Sequence, residues 1–238
     1  MLRINNVTKL YPGSDKGIKN ITMNVRPGDI HAFIGPNGAG KTTLIKAISG
    51  IHSFDEGEIL LGGVSIKDNP IEAKKIFACI PDNPDIYEYL TGIQFLNFIG
   101  DVFEIPQSVR VERISKYAGA FEITEALGSL ISTYSHGMKQ KLVIISALLH
   151  EPKLLVLDEP FVGLDPKASV TLRGYMKEIC AQGGAILFST HVLEVAEKLS
   201  DRVTIIKDGR VFKQGDMDAV VKEGKNLENI FMEVAADA

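Results

Sequence analysis

The sequence predicts an α/β fold with a core of strands and helices, an antiparallel β layer beside it and a helical block inserted into it. Three observations carry this reading. A glycine-rich segment at residues 35–40 sits between the apolar run Ile30, Ala32, Phe33, Ile34 and a helical pattern that opens at Thr43. The first sixty or so residues alternate short β-type runs with turns. From about residue 86 the apolar spacing becomes helical, and it stays so until a continuous strand-like run resumes at Leu154-Leu155-Val156-Leu157.

The glycine-rich segment, Gly35-Pro36-Asn37-Gly38-Ala39-Gly40-Lys41-Thr42-Thr43, has the strand, loop and helix context of a P-loop. Glycines let consecutive backbone N–H groups turn inward, and the positive end of the following helix points at an anion. Lys41 adds a point charge for β and γ phosphates, and the Thr42 hydroxyl can ligate Mg²⁺. Two glycines, a lysine and a Ser/Thr at these spacings would arise by chance in roughly one chain of this length in a hundred. The strand and helix on either side reduce that chance further.

The length of 238 residues suits one large domain, or a domain with a sizeable insertion. A net charge of −4 argues against a general nucleic-acid binder, so no nucleic-acid partner is expected. The N-terminal residues lack the apolar core of a signal peptide, and the longest apolar stretch, residues 142–149 interrupted by Ser146, is too short to span a bilayer. The expected location is cytoplasmic. Cys79 and Cys180 sit in apolar surroundings without metal-ligand spacing, which reads as buried, reduced thiols.

Along the chain, Leu2, Ile4 and Val7, then residues 18–25, read as strands, with Pro27-Gly28-Asp29 turning into the P-loop strand. Residues 58–61, Gly62-Gly63 and 64–66 read as a hairpin. Tyr11, after the first strand, is either a turn tyrosine packed on the β layer or an aromatic platform for a base. Ile76, Ala78 and Ile80 form a further strand, broken by Pro81-Asp82-Asn83-Pro84. In the helical block, Thr91-Gly92-Ile93-Gln94 has capping-box spacing, Ile93, Leu96, Ile99 and Val102 recur at helical intervals, and residues 109–118 and 123–127 suggest further helices.

That block ends in Tyr134-Ser135-His136-Gly137-Met138, where Ser135 is placed to cap the helix that follows. A serine N-cap needs no function. Gly137, poor at a helix start unless something approaches the backbone closely, favours a site. The run 154–157 is continuous, as in a parallel strand covered on both faces, and Asp158 and Glu159 stand at its C-terminal end, where open α/β sheets bind ligands. With a P-loop present, a metal-bound phosphate gives this acidic pair a partner. Asp165-Pro166 opens a helix to about residue 181; strand 185–188 follows and ends at Ser189-Thr190-His191, placing a histidine among the phosphate-facing residues. Strands 203–206 and 210–213 close the sheet, and a short helix follows from about Asp216.

Taken together, these motifs resemble the ATP-binding subunit of an ABC transporter over nearly the whole chain, with the exporter-like subgroup the nearer likeness. Residues 35–42 match Walker A, residues 154–158 match Walker B, and Glu159 falls at the catalytic glutamate. Tyr11 matches the adenine-stacking aromatic, Gly163-Leu164-Asp165 the D-loop and His191 the switch histidine. Residues 134–138 stand at the signature Leu-Ser-Gly-Gly-Gln, with His136 for the first Gly and Met138 for the Gln. Asp82 stands where the Q-loop glutamine is usual, and a carboxylate cannot donate as an amide does.

The resemblance implies a single ABC ATP-binding domain: residues 1–85 and 151–238 as nucleotide-binding core with its β layer, and 86–150 as the helical subdomain. It implies ATP and Mg²⁺ as cofactors. Lys41, Glu159 and His191 are the catalytic candidates. Tyr11, Gly35, Pro36, Asn37, Gly38, Ala39, Gly40, Lys41, Thr42 and Thr43 are the nucleotide-binding candidates, with Ser135 and Gly137 reaching the ATP of a second ATP-binding subunit. Thr42 and Asp158 are the metal candidates, and Asp82 is a further one. Membrane-spanning subunits docked near residues 82–90 are the implied partners, with export as the expected direction of transport and the cytoplasmic face of the membrane as the expected place. A soluble ATPase of translation or chromosome maintenance is the alternative. Such relatives usually carry two cassettes in one chain or a long coiled-coil insertion. A P-loop GTPase would need a guanine-reading Asn-Lys-x-Asp, which the sequence lacks.

Overall fold

The computed structural model of the protein describes residues 1–83, 86–224 and 226–236. In chain order its elements are β1 (Leu2–Leu10), β2 (Gly17–Val25), β3 (Ile30–Ile34), α1 (Lys41–Ile48), β4 (Glu56–Leu61), β5 (Val64–Ser65), α2 (Pro70–Lys75) and β6 (Phe77–Ile80). The helical block follows as α3 (Gly92–Val102), α4 (Gln107–Ala120) and α5 (His136–Leu148). Then come β7 (Leu154–Asp158), α6 (Pro166–Ala181), β8 (Ala185–Thr190), α7 (Leu193–Leu199), β9 (Arg202–Lys207), β10 (Arg210–Asp216), α8 (Met217–Gly224) and α9 (Leu227–Ala236).

Two sheets form. The first is antiparallel in the order β2-β1-β4-β5; the second runs β10-β9-β3-β8-β7-β6, parallel except for β10. Side chains alternate across a strand, so each parallel strand feeds two cores. Phe33, Leu154, Val156, Leu187 and Ile206 pack with the β layer, α1 and α2. Ala32, Ile34, Leu155, Leu157, Phe188 and Ile205 pack with α3 to α9. The strands buried on both faces are therefore apolar throughout rather than alternating, as parallel strands are.

The caps expected from sequence form. Thr91 and Gln94 make a reciprocal capping box on α3, Ser135 accepts from the Met138 N–H at 3.3 Å, and Asp165 accepts from the Ala168 N–H at 2.8 Å with Pro166 at the first helical position. Three expectations need correction. Residues 123–127 hold only a single 3-10 turn, Thr124–Ala126, because Ile123 and Leu127 reach the core through a turn too short to propagate as a helix. The tail holds two helices, α8 and α9, whose Val220, Leu227 and Ile230 bury against the parallel sheet's helical face. Cys180 is buried, but Cys79 is only partly so. Pro84, read as part of a strand break, lies outside the described residues. Among the described residues no helix is long and apolar enough to cross a membrane.

Candidate active site

β3 ends at Ile34, the chain turns through residues 35–40, and α1 begins at Lys41 with Gly40 as its N-cap at φ +108°, a conformation that favours glycine. In this arrangement the Lys41 ammonium folds back onto the loop, donating to the Gly35 carbonyl at 2.7 Å and the Pro36 carbonyl at 3.3 Å. Burial lowers the Lys41 pKa, and the nearby Glu159 and Asp158 carboxylates work against that shift. The Ala39 N–H is bonded to the Pro36 carbonyl and its own carbonyl to Gly209, so the cradle is tied to the turn after β9.

The strand order sets the carboxylates opposite this cradle. β7 lies beside β8, with Asp158 paired in register to Ser189 at their C-terminal ends. Asp158 accepts from Ser189 through Oδ1 and from the Thr42 hydroxyl through Oδ2, the latter at 2.9 Å. Glu159, the next residue, has a left-handed backbone at φ +48°, rare for a side chain with a Cβ and found chiefly where function holds it. Its N–H donates to both the carbonyl and the hydroxyl of Ser189 at 3.2 Å. Its carboxylate Oε2 lies 3.0 Å from His191 Nδ1 and accepts from the His191 N–H at 3.3 Å.

Lys41, Thr42, Asp158 and Glu159 line one cleft of about 350 Å³ together with Tyr11, Asn37, Gly38, Gly40, Thr43 and Asp82, and with Lys16 and Gly17, while Ser189 and His191 stand outside that lining and reach it through Asp158 and Glu159. Tyr11 donates to or accepts from the Thr43 hydroxyl at 3.2 Å and stands edge-on to His52, 6.1 Å between ring centres. Asp82 faces the acidic pair: burial first, then Asp158 and Glu159, raises its pKa, with His136 and His191 opposing. Gly35, Pro36 and Ala39 form the back of the loop rather than its cleft wall.

Ser135 and Gly137 do not line the cleft. They begin α5, where Gly137 is pressed against Gly163: a Cβ on Gly137 would meet the Gly163 carbonyl oxygen at 2.8 Å. Gly163 itself has φ +78° and no room for a Cβ beneath the His136 ring, which would stand 2.6 Å away. Lys141 pairs with Asp165 at 2.6 Å. The close approach suspected at Gly137 thus has a partner within the chain. Sequence reasoning assigned no role to Ser189, Lys16 or Gly17. Ser189 could have been picked out as the strand-end residue beside His191, but its bond to Asp158 depends on β8 lying next to β7.

The metal candidates fit Mg²⁺. Thr42 and Asp158 bring hard oxygen donors together at the cradle's edge, and Mg²⁺ on a nucleotide takes one or two protein oxygens, with phosphates and water for the rest. Among the described residues no group of three or more His, Cys, Asp or Glu converges to hold a metal without such help.

A phosphate cradle facing strand-end carboxylates across a sheet of this order defines a P-loop nucleoside triphosphatase. Residues 18–162 match the family model for ABC transporter. The chain is 38% identical over 200 residues to YdbJ of Bacillus subtilis (strain 168), an uncharacterized ABC transporter ATP-binding protein, a match covering 84% of this chain and 64% of that relative, less than two thirds of its length. It is 33% identical to SkfE of the same organism, a SkfA peptide export ATP-binding protein, over 90% of this chain and 88% of that one. A solved ATP binding subunit of an ABC transporter superposes with a TM-score of 0.93 at 34% identity, covering 99% of each chain. The chain belongs to the ABC transporter family, among its ATP-binding proteins.

Proposed function

We propose that this chain binds Mg²⁺-ATP in the cleft of residues 35–43, hydrolyses it with Glu159 and His191, and drives a solute outward through separate membrane-spanning subunits. The observation that carries the reading is the single cleft in which Lys41, Thr42, Asp158 and Glu159 converge, with His191 bonded to Glu159. The α1 N-terminus supplies positive potential for phosphates, and Lys41 exchanges its bonds to Gly35 and Pro36 for phosphate oxygens. Thr42 and Asp158 would hold Mg²⁺, which would supply neutralisation of the phosphates' negative charge. Ser189 keeps Asp158 in place through its own hydrogen bond.

Glu159 orients the attacking water and takes its proton as the water oxygen bonds to the γ phosphorus and the β–γ bridging bond breaks. His191 fixes one carboxylate oxygen of Glu159 and leaves Nε2 for the γ-phosphate. Tyr11 would stack on adenine, giving up or keeping its Thr43 bond, and Asp82 would reach the metal through its acidic face.

The missing wall of the cleft would come from a second ATP-binding subunit. Ser135 and Gly137 stand outside their own cleft, which supports their use on a partner's ATP. In this reading residues 1–85 and 151–238 form the core and 86–150 the helical subdomain. Tyr87, Tyr89 and Phe98 expose an aromatic cluster, with Tyr87 5.8 Å from each of the other two rings, at the edge of the docking segment 82–90. Membrane subunits would seat there, holding the chain at the cytoplasmic face; Pro84 and Asp85 of that segment lie outside the described residues. The SkfE likeness supports export. The test is steady-state ATP turnover with Mg²⁺ in wild type and Glu159→Gln. Loss of turnover with ATP still bound is expected, and wild-type turnover in the variant would overturn the role of Glu159.

A further inference from the structure

At the opposite end of β3 from the P-loop lies a second polar cleft, of about 710 Å³, lined by ten residues from the β layer and from β3, β9 and β10. Three of them are arginines, Arg3, Arg26 and Arg202, and none is acidic. His31 lies on its wall. It follows the first residue of β3, its side chain is 2% exposed, and its Cα is paired in register with that of Arg202 on β9. Register partners on parallel strands project to the same face. Phe33, two residues on, packs with the β layer, so His31 and Arg202 face that layer together.

Two buried nitrogen atoms here have no hydrogen-bond partner among the described residues: His31 Nδ1 and Arg202 Nε. Buried polar groups are nearly always paired, so each needs an acceptor. Arg202 Nε can only donate. His31 Nε2 lies 2.8 Å from the Thr204 hydroxyl, and when that hydroxyl donates, Nδ1 carries the proton and is a donor as well. Burial and the charges of Arg202 and Arg26 keep the ring neutral, so it adds a donor without adding charge. Acidic groups do lie nearby: Asp216 pairs with Arg202 through Nη1, and Asp29, whose Oδ2 is likewise buried without a partner among the described residues, is under the influence of Arg202 and Arg26. The Asp216 pair leaves Nε unengaged, and Arg3 and Arg26 form none of the ion pairs found among the described residues.

We propose that this cleft is a second anion site, separate from the P-loop, that takes a phosphate group, either the free ion or the phosphomonoester of a small metabolite. Arginine's planar fork and buried N–H donors suit tetrahedral oxyanions. Gly35 follows His31 by four residues, which at strand rise is about 13 Å. A phosphate here is therefore not the one cradled at residues 35–43, and β3 links the two sites directly.

The test is calorimetric titration of the full chain with inorganic phosphate in the Lys41→Ala variant, so that the P-loop contributes least, with and without Arg3→Glu and Arg26→Glu. The nitrogen-15 signals of His31 are followed in the same titration. One saturable site is expected, with His31 signals moving in step. The arginine reversals should weaken it by about tenfold or more, as loss of charge-assisted contacts does. Ribose 5-phosphate that competes identifies a phosphomonoester; binding of inorganic phosphate alone identifies the free ion. Titration without saturation, unmoved His31 signals or unchanged affinity in the reversed variant overturns the proposal. Arg3 and Arg26 are exposed, so the reversals should leave the fold intact; if they do not, the His31 signals in the unreversed chain decide.

Discussion

Gly137, in the first turn of α5, lies against the carbonyl oxygen of Gly163, close enough that a Cβ on Gly137 would come within 2.8 Å of it. With His136 over Gly163 and Lys141 on Asp165, this contact ties the start of the signature helix to the loop that opens α6. Backbone must move to admit even a methyl group at position 137. Gly137→Ala should cost about 1–3 kcal/mol of unfolding free energy, as overpacking does, and lower ATP turnover while leaving ATP affinity alone. Urea unfolding and steady-state turnover measure the two. A variant as stable and active as wild type would mean the loop gives way freely.

Lys41→Ala removes a charge-assisted contact to phosphate of about 1.5–3 kcal/mol, so ATP should bind roughly tenfold to a hundredfold more weakly. Because Lys41 also bonds the Gly35 and Pro36 carbonyls, the loop should become more mobile in the nucleotide-free chain. Equilibrium binding of ATP checks the first effect. Unchanged affinity would remove Lys41 from the cradle.

His31 gives a pH dependence with a definite sign. Burial, helped by Arg202 and Arg26, brings its pKa down to about 3, against 6.5 for an unperturbed imidazole. Below about pH 6.5 the unfolded chain takes up a proton that the folded chain refuses until about pH 3, so stability present above 6.5 is lost as pH falls through that window. Carboxylates can give a slope of the same sign, and the difference between wild type and His31→Gln isolates the imidazole. Urea unfolding at pH 7 and pH 5 should show a steeper loss in wild type, on the order of 1–2 kcal/mol. Equal losses in the two proteins would contradict a neutral, buried His31.

The parts of this molecule that were legible in the sequence are those whose cause is local. The strand, loop and helix at 30–48, the capping box of Thr91 and Gln94, and the caps by Ser135 and Asp165 each follow from a few neighbouring side chains, and each forms as read. The short helices α2 and α7 leave no legible signal in the sequence, because six or seven residues carry too little periodicity and hold their shape through packing of Ala73 and Ala196. At the site, Lys41, Thr42, Asp158, Glu159 and His191 were legible from motif and strand end. The Ser189 bond to Asp158, the left-handed Glu159 and the Gly137–Gly163 contact were not, since all three depend on which strands and loops become neighbours.

The shared-site account makes ATP the bridge between two chains, with Glu159 needed to remove it and Ser135 needed to receive it. Sedimentation velocity of Glu159→Gln, with and without added Ser135→Arg, tests this most directly when ATP and Mg²⁺ are present. The account predicts that Glu159→Gln sediments as a dimer with ATP and as a monomer without it, and that adding Ser135→Arg leaves an ATP-bound monomer. A Glu159→Gln chain that stays monomeric at saturating ATP, or a Ser135→Arg monomer that no longer binds ATP, would contradict it.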